Sequence, residues 1–241
     1  MPSYSPQVSV IVAAYNHARF LPQALESVLS QDLGAGQFEV LVIDDGSTDA
    51  TPEALRGYAS RLTVLTQPHR GLAAACNAGF AAARGRYLAR VDADDVVAPS
   101  WLRRTIEMLE CHPEACCVYP DSIHLLTDGT AQPMPTGEGN LFSLLACGVV
   151  FRAEAVRAVG GLRPLYWEEY DLYLRLQTHG TFVHLSEPLY RYRRHARGMT
   201  ADERARMAGW QQLLAVWGKE RLLASGGTPE LLTAIAQAGE G

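Results

Sequence analysis

Carboxylates gather at three places in this chain, and two of them directly follow apolar runs. Asp44-Asp45-Gly46-Ser47-Thr48-Asp49 comes after Phe38-Glu39-Val40-Leu41-Val42-Ile43, and Asp92-Ala93-Asp94-Asp95 after Tyr87-Leu88-Ala89-Arg90-Val91. Such runs read as strands buried on both faces. In an open α/β sheet, ligands bind beyond the carboxyl ends of the strands. Carboxylates crowded there repel one another unless a cation joins them, and a divalent ion carrying phosphate oxygens is the natural cation. If the chain stays extended through Asp92-Ala93-Asp94, residues 92 and 94 point to one side and form part of an oxygen cage. Magnesium and manganese prefer such hard ligands. The same residues also read as acidic turns, with Asp94 or Asp95 capping the next helix and Gly46 easing a cap after Asp45. The third cluster, Glu168-Glu169-Tyr170-Asp171, opens a helical segment. A carboxylate there could take a proton from a hydroxyl nucleophile, or simply favour the positive end of the helix.

These residues must be positioned by the elements around them. Val8 to Ala14 is a continuous apolar run, the first buried strand. Phe20 to Gln31 has Leu21, Leu25, Val28 and Leu29 at helical spacing, and Gly34 and Gly36 break it. Phe38 to Ile43, Leu62 to Thr66 and Arg86 to Val91 are the next strands, alternating with helices over Thr51–Ser60, Gly71–Arg84 and Pro99–Glu110. Ser47 or Asp49 is positioned to cap the first of these helices, with Pro52 in its opening turn. Strand and helix in alternation predict an α/β fold, a mostly parallel central sheet covered by helices on both faces.

The second half is less regular. Asp128 to Asn140 carries glycines and prolines and reads as a loop, either a lid or a plain surface loop. Short strands are expected at Cys116–Tyr119, Phe182–Leu185 and Leu189–Arg193, and a helix at Glu168–Thr178. A final amphipathic helix is expected over Asp202–Leu223. Its apolar stripe should pack on its own domain, although it could instead dimerise or rest on a membrane surface.

The 241 residues are 48% hydrophobic with a net charge of -5, enough for one sizeable core and without the basic excess of a nucleic-acid binder. Five cysteines lack any CxxC pair, so the expectation is a reduced, cytoplasmic protein without structural zinc. No apolar run is long enough to span a bilayer, and residues Met1 to Gln7 do not read as a signal peptide.

In order, the chain reads Val8-Ser9-Val10-Ile11-Val12, Tyr15-Asn16, Asp44-Asp45-Gly46-Ser47-Thr48-Asp49, Gly71 to Gly79, Gly85-Arg86-Tyr87, then Asp92-Ala93-Asp94-Asp95. This series, over roughly residues 7 to 198, resembles a family 2 glycosyltransferase of the GT-A fold. Gly160-Gly161-Leu162 followed by Glu168-Glu169-Tyr170-Asp171-Leu172-Tyr173-Leu174-Arg175-Leu176 is similar to that family's GGF…EDYDLWLRL segment. Tyr190 to His195 resembles its YRxH ending.

The resemblance implies an inverting, metal-dependent transferase. It would move a sugar from a nucleoside diphosphate sugar, uridine-linked by expectation, to a hydroxyl of a glycan, a lipid-linked glycan or a small molecule, as in polysaccharide biosynthesis. By position, Ala14, Tyr15 and Asp45 would contact the base, and Arg70 the base or phosphates. Asp92 and Asp94 would serve ribose and metal (magnesium or manganese), with Asp95 a rival metal ligand. His195 would ligate the metal or touch the diphosphate, and Arg193 or Arg194 would neutralise phosphate charge. Glu169 would be the general base, a glutamate where the family usually has aspartate, with Asp171 in reserve.

The resemblance further implies one domain over residues 1–200, with a nucleotide-binding half about 7–118 and an acceptor-binding half about 119–200. Residues 201–241 would be a helical tail packed on it. Peripheral attachment to the inner face of a membrane stays open. A nucleotidyltransferase or a nicotinamide-dependent dehydrogenase would need a glycine-rich loop after the first strand. Ala13-Ala14-Tyr15-Asn16-His17 has none. A non-catalytic nucleotide-sugar-binding module remains the other alternative.

Overall fold

Seven residues from Val8 to Ala14, nearly all of them fully buried, form the central strand β1. They are followed by α1 (Leu21–Leu29), β2 (Phe38–Asp44), α2 (Thr51–Arg56), β3 (Thr63–Thr66), α3 (Leu72–Ala82) and β4 (Tyr87–Asp92). The computed structural model describes residues 5–34, 36–134, 140–145, 147–196 and 198–238. The remaining elements are β5 (Val96–Val97), α4 (Trp101–Cys111), β6 (Ala115–Leu125), β7 (Ala131–Met134), β8 (Val150–Arg152), α5 (Ala153–Ala158), α6 (Glu168–Leu176), β9 (Thr181–Arg193), α7 (Glu203–Trp217), α8 (Lys219–Ala224) and α9 (Pro229–Ala238).

One sheet runs through the molecule in the order β3-β2-β1-β4-β8-β6-β9-β5, with β7 added beside β6. β3, β2, β1 and β4 are mutually parallel, as crossovers through helices require. β8 is antiparallel to both β4 and β6, whereas β6 and β9 pair in parallel. The sheet is thus parallel in its first half and mixed in its second, with apolar clusters on both faces. This is the α/β architecture the sequence implied, a central sheet with apolar packing on both faces.

Helix–sheet packing is tight where the first half carries its site. A Cβ on Gly79 of α3 would sit 2.6 Å from Ile11 Cγ2 and 2.8 Å from Ile43 Cδ1. A hydrogen atom in that position lets α3 lie directly on β1 and β2, below the strand ends that carry the carboxylates.

Three local expectations are revised. Residues 131–134, expected within a loop, form β7 and pair antiparallel with Ser122–Leu125 of β6. The proposed lid partly overlaps residues 135–139, which lie outside the described residues. The two short strands around Pro188 are one strand, β9, and Pro188 sits at a register shift opposite Asp121, where its missing N–H costs no ladder bond. The single C-terminal helix is broken at Gly218, whose φ of 74° is left-handed, and α9 follows it.

The C-terminal helices share a core cluster with α3 and α6, to which Trp210, Leu213, Leu222 and Leu231 contribute. Three bonds tie α7 to the segment holding the third acidic cluster. The Trp167 indole donates to Arg206 O (3.2 Å), Tyr166 N to Gln212 Oε1 (3.0 Å), and the Trp217 indole to Asp171 Oδ1 (3.0 Å). No helix among the described residues is long and apolar enough to cross a membrane. All five cysteines are free.

Candidate active site

Register brings the acidic clusters together. Ala14 is opposite Asp44, and Ala13 is opposite Asp92, so the carboxyl ends of β2, β1 and β4 lie side by side. Asn16 fixes the turn after β1. It adopts φ 58°, a conformation that asparagine tolerates better than most residues. Its Oδ1 accepts from Thr48 N (2.8 Å) and Asp49 N (3.2 Å). Asp49, expected as a cap, accepts from Thr51 N (2.9 Å) and Ala18 N (3.1 Å), joining the two loops.

A cavity of about 690 Å³ opens over these strand ends, within the range of small-molecule sites. Ala14, Tyr15, Asp45, Asp92 and Asp94 line one side, and Trp167, Glu168, Glu169 and Tyr170 the other. Arg70, Asp95, Asp171 and His195 do not line it, although His195 reaches it through Asp94.

Asp45 anchors one wall of the cavity. Its Oδ1 accepts from Gln67 Nε2 (2.6 Å) and Arg70 N (3.0 Å), and its Oδ2 from Gly71 N (2.8 Å), with His69 Nδ1 2.8 Å away. Burial opposes ionisation of Asp45, but these donors outweigh it and hold the carboxyl below its ordinary range. The His69 ring lies stacked on Tyr15, centroids 3.9 Å apart. Arg70 enters this arrangement through its backbone, and its side chain is exposed.

The second cluster divides its work. Asp94 Oδ2 stands 2.8 Å from His195 Nε2 and 3.8 Å from His17 Nε2. The other nitrogen of His17, Nδ1, is buried without a hydrogen-bond partner among the described residues. Asp95 is buried. Its oxygens accept from Tyr190 OH (2.6 Å) and Arg193 N (2.7 Å), which ties β9 to this corner. Burial, with Asp92 and Asp94 nearby, pushes the Asp95 carboxyl well up. Ligand atoms of Asp92, Asp95 and Cys147 lie within 4.8 Å of one another, and the Cys147 thiol donates to Asp92 Oδ2 (2.8 Å). Arg193 is committed to Asp94 O and Gln23 Oε1, whereas Arg194 lines the cavity.

At the start of α6 the two glutamates differ. Glu168 is 2% exposed and pairs with Arg90 Nη1 at 2.9 Å. Glu169 is 7% exposed, and its Oε2 has no hydrogen-bond partner among the described residues. Burial, then the neighbouring Glu168, raises the Glu169 carboxyl well above the usual carboxylate range. Asp171, the reserve base, is fully buried away from the cavity, held by Arg175 (2.7 Å), Arg163 (3.3 Å) and the Trp217 indole (3.0 Å). Its oxygens are occupied by these donors, and it does not line the cavity. His17, His69, Arg90 and Cys147 were not anticipated from sequence. Only the positions of His17 and Arg90, just after β1 and just before Asp92, could have hinted at them.

A sheet whose strand ends present carboxylates to an open cavity defines an α/β domain with its candidate ligand site at the carboxyl ends of the strands. The chain belongs to glycosyl transferase family 2, whose description matches residues 9–136. It is 46% identical over 172 residues to the succinoglycan biosynthesis protein ExoO of Rhizobium meliloti, covering 67% of this chain and 47% of that protein. It is 29% identical over 198 residues to the chondroitin synthase of Escherichia coli, covering 77% of this chain and 28% of that protein. The chain therefore spans less than half the length of these curated relatives. Among solved structures, Staphylococcus aureus TarS 1-349 in complex with UDP-GlcNAc matches with a TM-score of 0.72 at 18% identity, covering 96% of this chain and 73% of that one. The mannosyltransferase PcManGT from Pyrobaculum calidifontis, in complex with GDP-Man and Mn2+, matches with a TM-score of 0.67 at 18% identity, covering 99% and 81%.

Proposed function

We propose that this chain is an inverting glycosyltransferase that takes a nucleoside diphosphate sugar, uridine-linked, and transfers its sugar to a hydroxyl of a glycan, a lipid-linked glycan or a small molecule. The observation that carries the reading is Glu169, a buried carboxylate with an unpartnered oxygen, facing Asp92 and Asp94 in one cavity. Residues about 7–118 would hold the donor and about 119–200 the acceptor, with the C-terminal helices supporting the acceptor side. The TarS complex with UDP-GlcNAc and the PcManGT complex with GDP-Man support a nucleoside diphosphate sugar as donor. The ExoO and chondroitin synthase relatives support a saccharide acceptor. A lipid-linked acceptor would bring the chain to the cytoplasmic face of a membrane.

Tyr15 would stack on the base. Asp45 would accept a base N–H in place of the His69 contact, next to Ala14, and Asp92 would hold the ribose. The acceptor hydroxyl would give its proton to Glu169 as its oxygen bonds to the anomeric carbon and the carbon–oxygen bond to the diphosphate breaks. Because that is one displacement, no carboxylate nucleophile is needed and the configuration inverts. A raised carboxyl is the better base, since proton-transfer efficiency is greatest when the pKa approaches the working pH.

The residues present fit a divalent ion. Asp94 offers a carboxylate oxygen and His195 an imidazole nitrogen at one point beside the cavity, with His17 Nε2 3.8 Å from the same Asp94 oxygen. Magnesium or manganese held between Asp94 and His195 would neutralise charge on the departing diphosphate. Asp95, with both oxygens occupied, would support this corner rather than bind the ion. Arg194 would face the phosphates.

Thermal unfolding against nucleotides and nucleotide sugars, with and without manganese, tests the donor site. A ligand at about 100 times its dissociation constant adds about 2.7 kcal/mol, a rise of roughly 5–10 °C for a chain of this size. Glu169→Gln should keep that rise while turnover falls about 10²- to 10⁴-fold. Nucleotide binding without turnover in the parent chain would point to a binding module. No rise with any nucleotide would remove the transferase reading.

A further inference from the structure

Adjacent glutamates at the start of one helix would ordinarily compete for the same protons. Here a single cation separates them. Arg90 lies in the middle of the sheet, 4% exposed. Its Nη1 donates to Glu168 Oε1 at 2.9 Å and its Nε to Asp92 Oδ1 at 3.1 Å. It therefore bridges β4 on the donor side to α6 on the acceptor side, and no hydrogen bond runs from it to Glu169.

We propose that Arg90 and Glu168 are positioning residues that divide the labour of the glutamate pair: Arg90 ties up the Glu168 carboxylate in a buried ion pair, leaving Glu169 as the group that exchanges a proton. This rests on Glu169 being the base.

The charges around Glu169 support the division. Arg90 and Asp92 face it from β4. Glu168, Tyr170 and Tyr173 face it from its own helix, and Tyr166 from the segment before it. Across the cavity stand His124, Tyr192, Arg194 and the Cys147 thiol. Of the cations, Arg90 is the one buried within the acidic cluster. Burial raises both glutamates, and Arg90, as the leading opposing influence on Glu168, keeps Glu168 below Glu169. Burial disfavours the charge on Arg90, but the carboxylates of Asp92 and Glu168 outweigh it and hold the guanidinium charged.

Removing either member of the pair must move Glu169 in opposite directions. Glu168→Gln removes a negative neighbour and leaves Arg90 uncancelled, so Glu169 should give up its proton more readily. Arg90→Gln leaves Glu168 and Asp92 unopposed, so Glu169 should hold its proton more tightly. The double variant restores the balance. A neighbouring charge within a few ångströms moves a carboxyl by about one to three pH units.

The experiment is a pH profile of turnover for the parent, E168Q, R90Q, the double variant and R90K. It is run alongside a carbon-13 NMR titration of the Glu169 carboxyl in the same proteins. The acid limb and the NMR midpoint should both fall by at least about one unit in E168Q. Both should rise by a similar amount in R90Q, and both should return close to the parent in the double variant and R90K. E168Q and R90K are near-isosteric or charge-conserving, so the test survives if R90Q does not fold. Midpoints that all coincide, or that shift in one direction in both single variants, overturn the proposal even if every protein is active. The expected NMR order in proteins without turnover would keep the proposal and remove Glu169 as the base of a transfer reaction.

Discussion

Replacing Gly209 by alanine should impair turnover far more than it impairs the fold. Gly209 is buried on α7, and a Cβ there would lie 2.6 Å from Tyr166 Cδ1 and 2.9 Å from both Trp167 Cδ1 and Nε1. Ordinary carbon contacts are about 3.5–4.0 Å, so the two rings must retreat by roughly 1 Å. Overpacking of this kind costs about 1–3 kcal/mol, and alanine returns about 1 kcal/mol of helix propensity. The net loss is therefore about 0–2 kcal/mol, roughly a few degrees in Tm. Trp167, however, immediately precedes Glu168 and Glu169, and the displacement is passed directly to the base. A shift of about 1 Å at a reacting group can cost about 100-fold in rate. The assay is release of nucleoside diphosphate at saturating donor and acceptor, beside thermal unfolding and a nucleotide titration. The expected result is a kcat lowered about 10- to 100-fold, with the nucleotide dissociation constant unchanged, because Tyr15 and Asp45 stand on the other wall. Gly218→Ala is the control. No atom lies near its added methyl, and its left-handed φ imposes about 1–2 kcal/mol of strain away from the base. If Gly209→Ala keeps full turnover, or loses it only in proportion to unfolding, the helix does not position the base.

Asn77→Ala should lower stability by about 1–3 kcal/mol in denaturant titrations. Asn77 makes both a 2.8 Å bond to Leu162 O and a 2.9 Å bond from Leu162 N, and the backbone of Leu162 would lose both. Asp45→Asn should destabilise the chain near neutral pH, and that difference should close in acid. A carboxyl lowered in the folded state contributes stability above its unfolded value near 3.8 and loses it as pH falls through the folded value. Unfolding curves at several pH values check both the sign and the window. Tyr15→Ala should weaken nucleotide binding by about 5- to 150-fold, from the loss of about 1–3 kcal/mol of base stacking. Tyr15 is 38% exposed, so its Tm should stay within about a degree of the parent's, and calorimetric titration reads the affinity.

The parallel half of the sheet was legible because its strands are buried on both faces and read as unbroken apolar runs ending in carboxylates. The second half was harder for reasons that differ from element to element. β7 is exposed at every position, so no alternation marks it and its strand geometry comes entirely from the ladder with β6. Pro188 seemed to divide β9 because a proline interrupts a ladder, yet a register shift accommodates it. Gly218 was present in the sequence as a break in the last helix, but the apolar stripe on either side of it outweighed one glycine. At the site, Asp92, Asp94 and Glu169 reach the cavity as their positions implied. Asp171 does not, since a helix turns residue 171 away from the direction of residue 169. The partners that decide what each carboxylate does, Arg90, His17 and His69, come from distant strands and loops, and pairings of that kind have no local signature.

The position of β9 also shapes the order in which this chain can fold. β1 to β4 are contiguous in sequence and can assemble as soon as they are made. The corner around Asp94 and Asp95 cannot. Val96 and Val97 wait for Tyr190 and Arg191 to form their ladder, and Asp94 meets His195 only across a separation of 101 residues. Loop-closure entropy makes such contacts late and slow. During synthesis the wall built from β1 to β4 can therefore be complete while Asp94 and Asp95 still lack their partners Tyr190, Arg193 and His195. The last strand of the chain to enter the sheet is thus also the one that completes the candidate site, so under the proposed function a chain lacking it would be inert rather than misdirected.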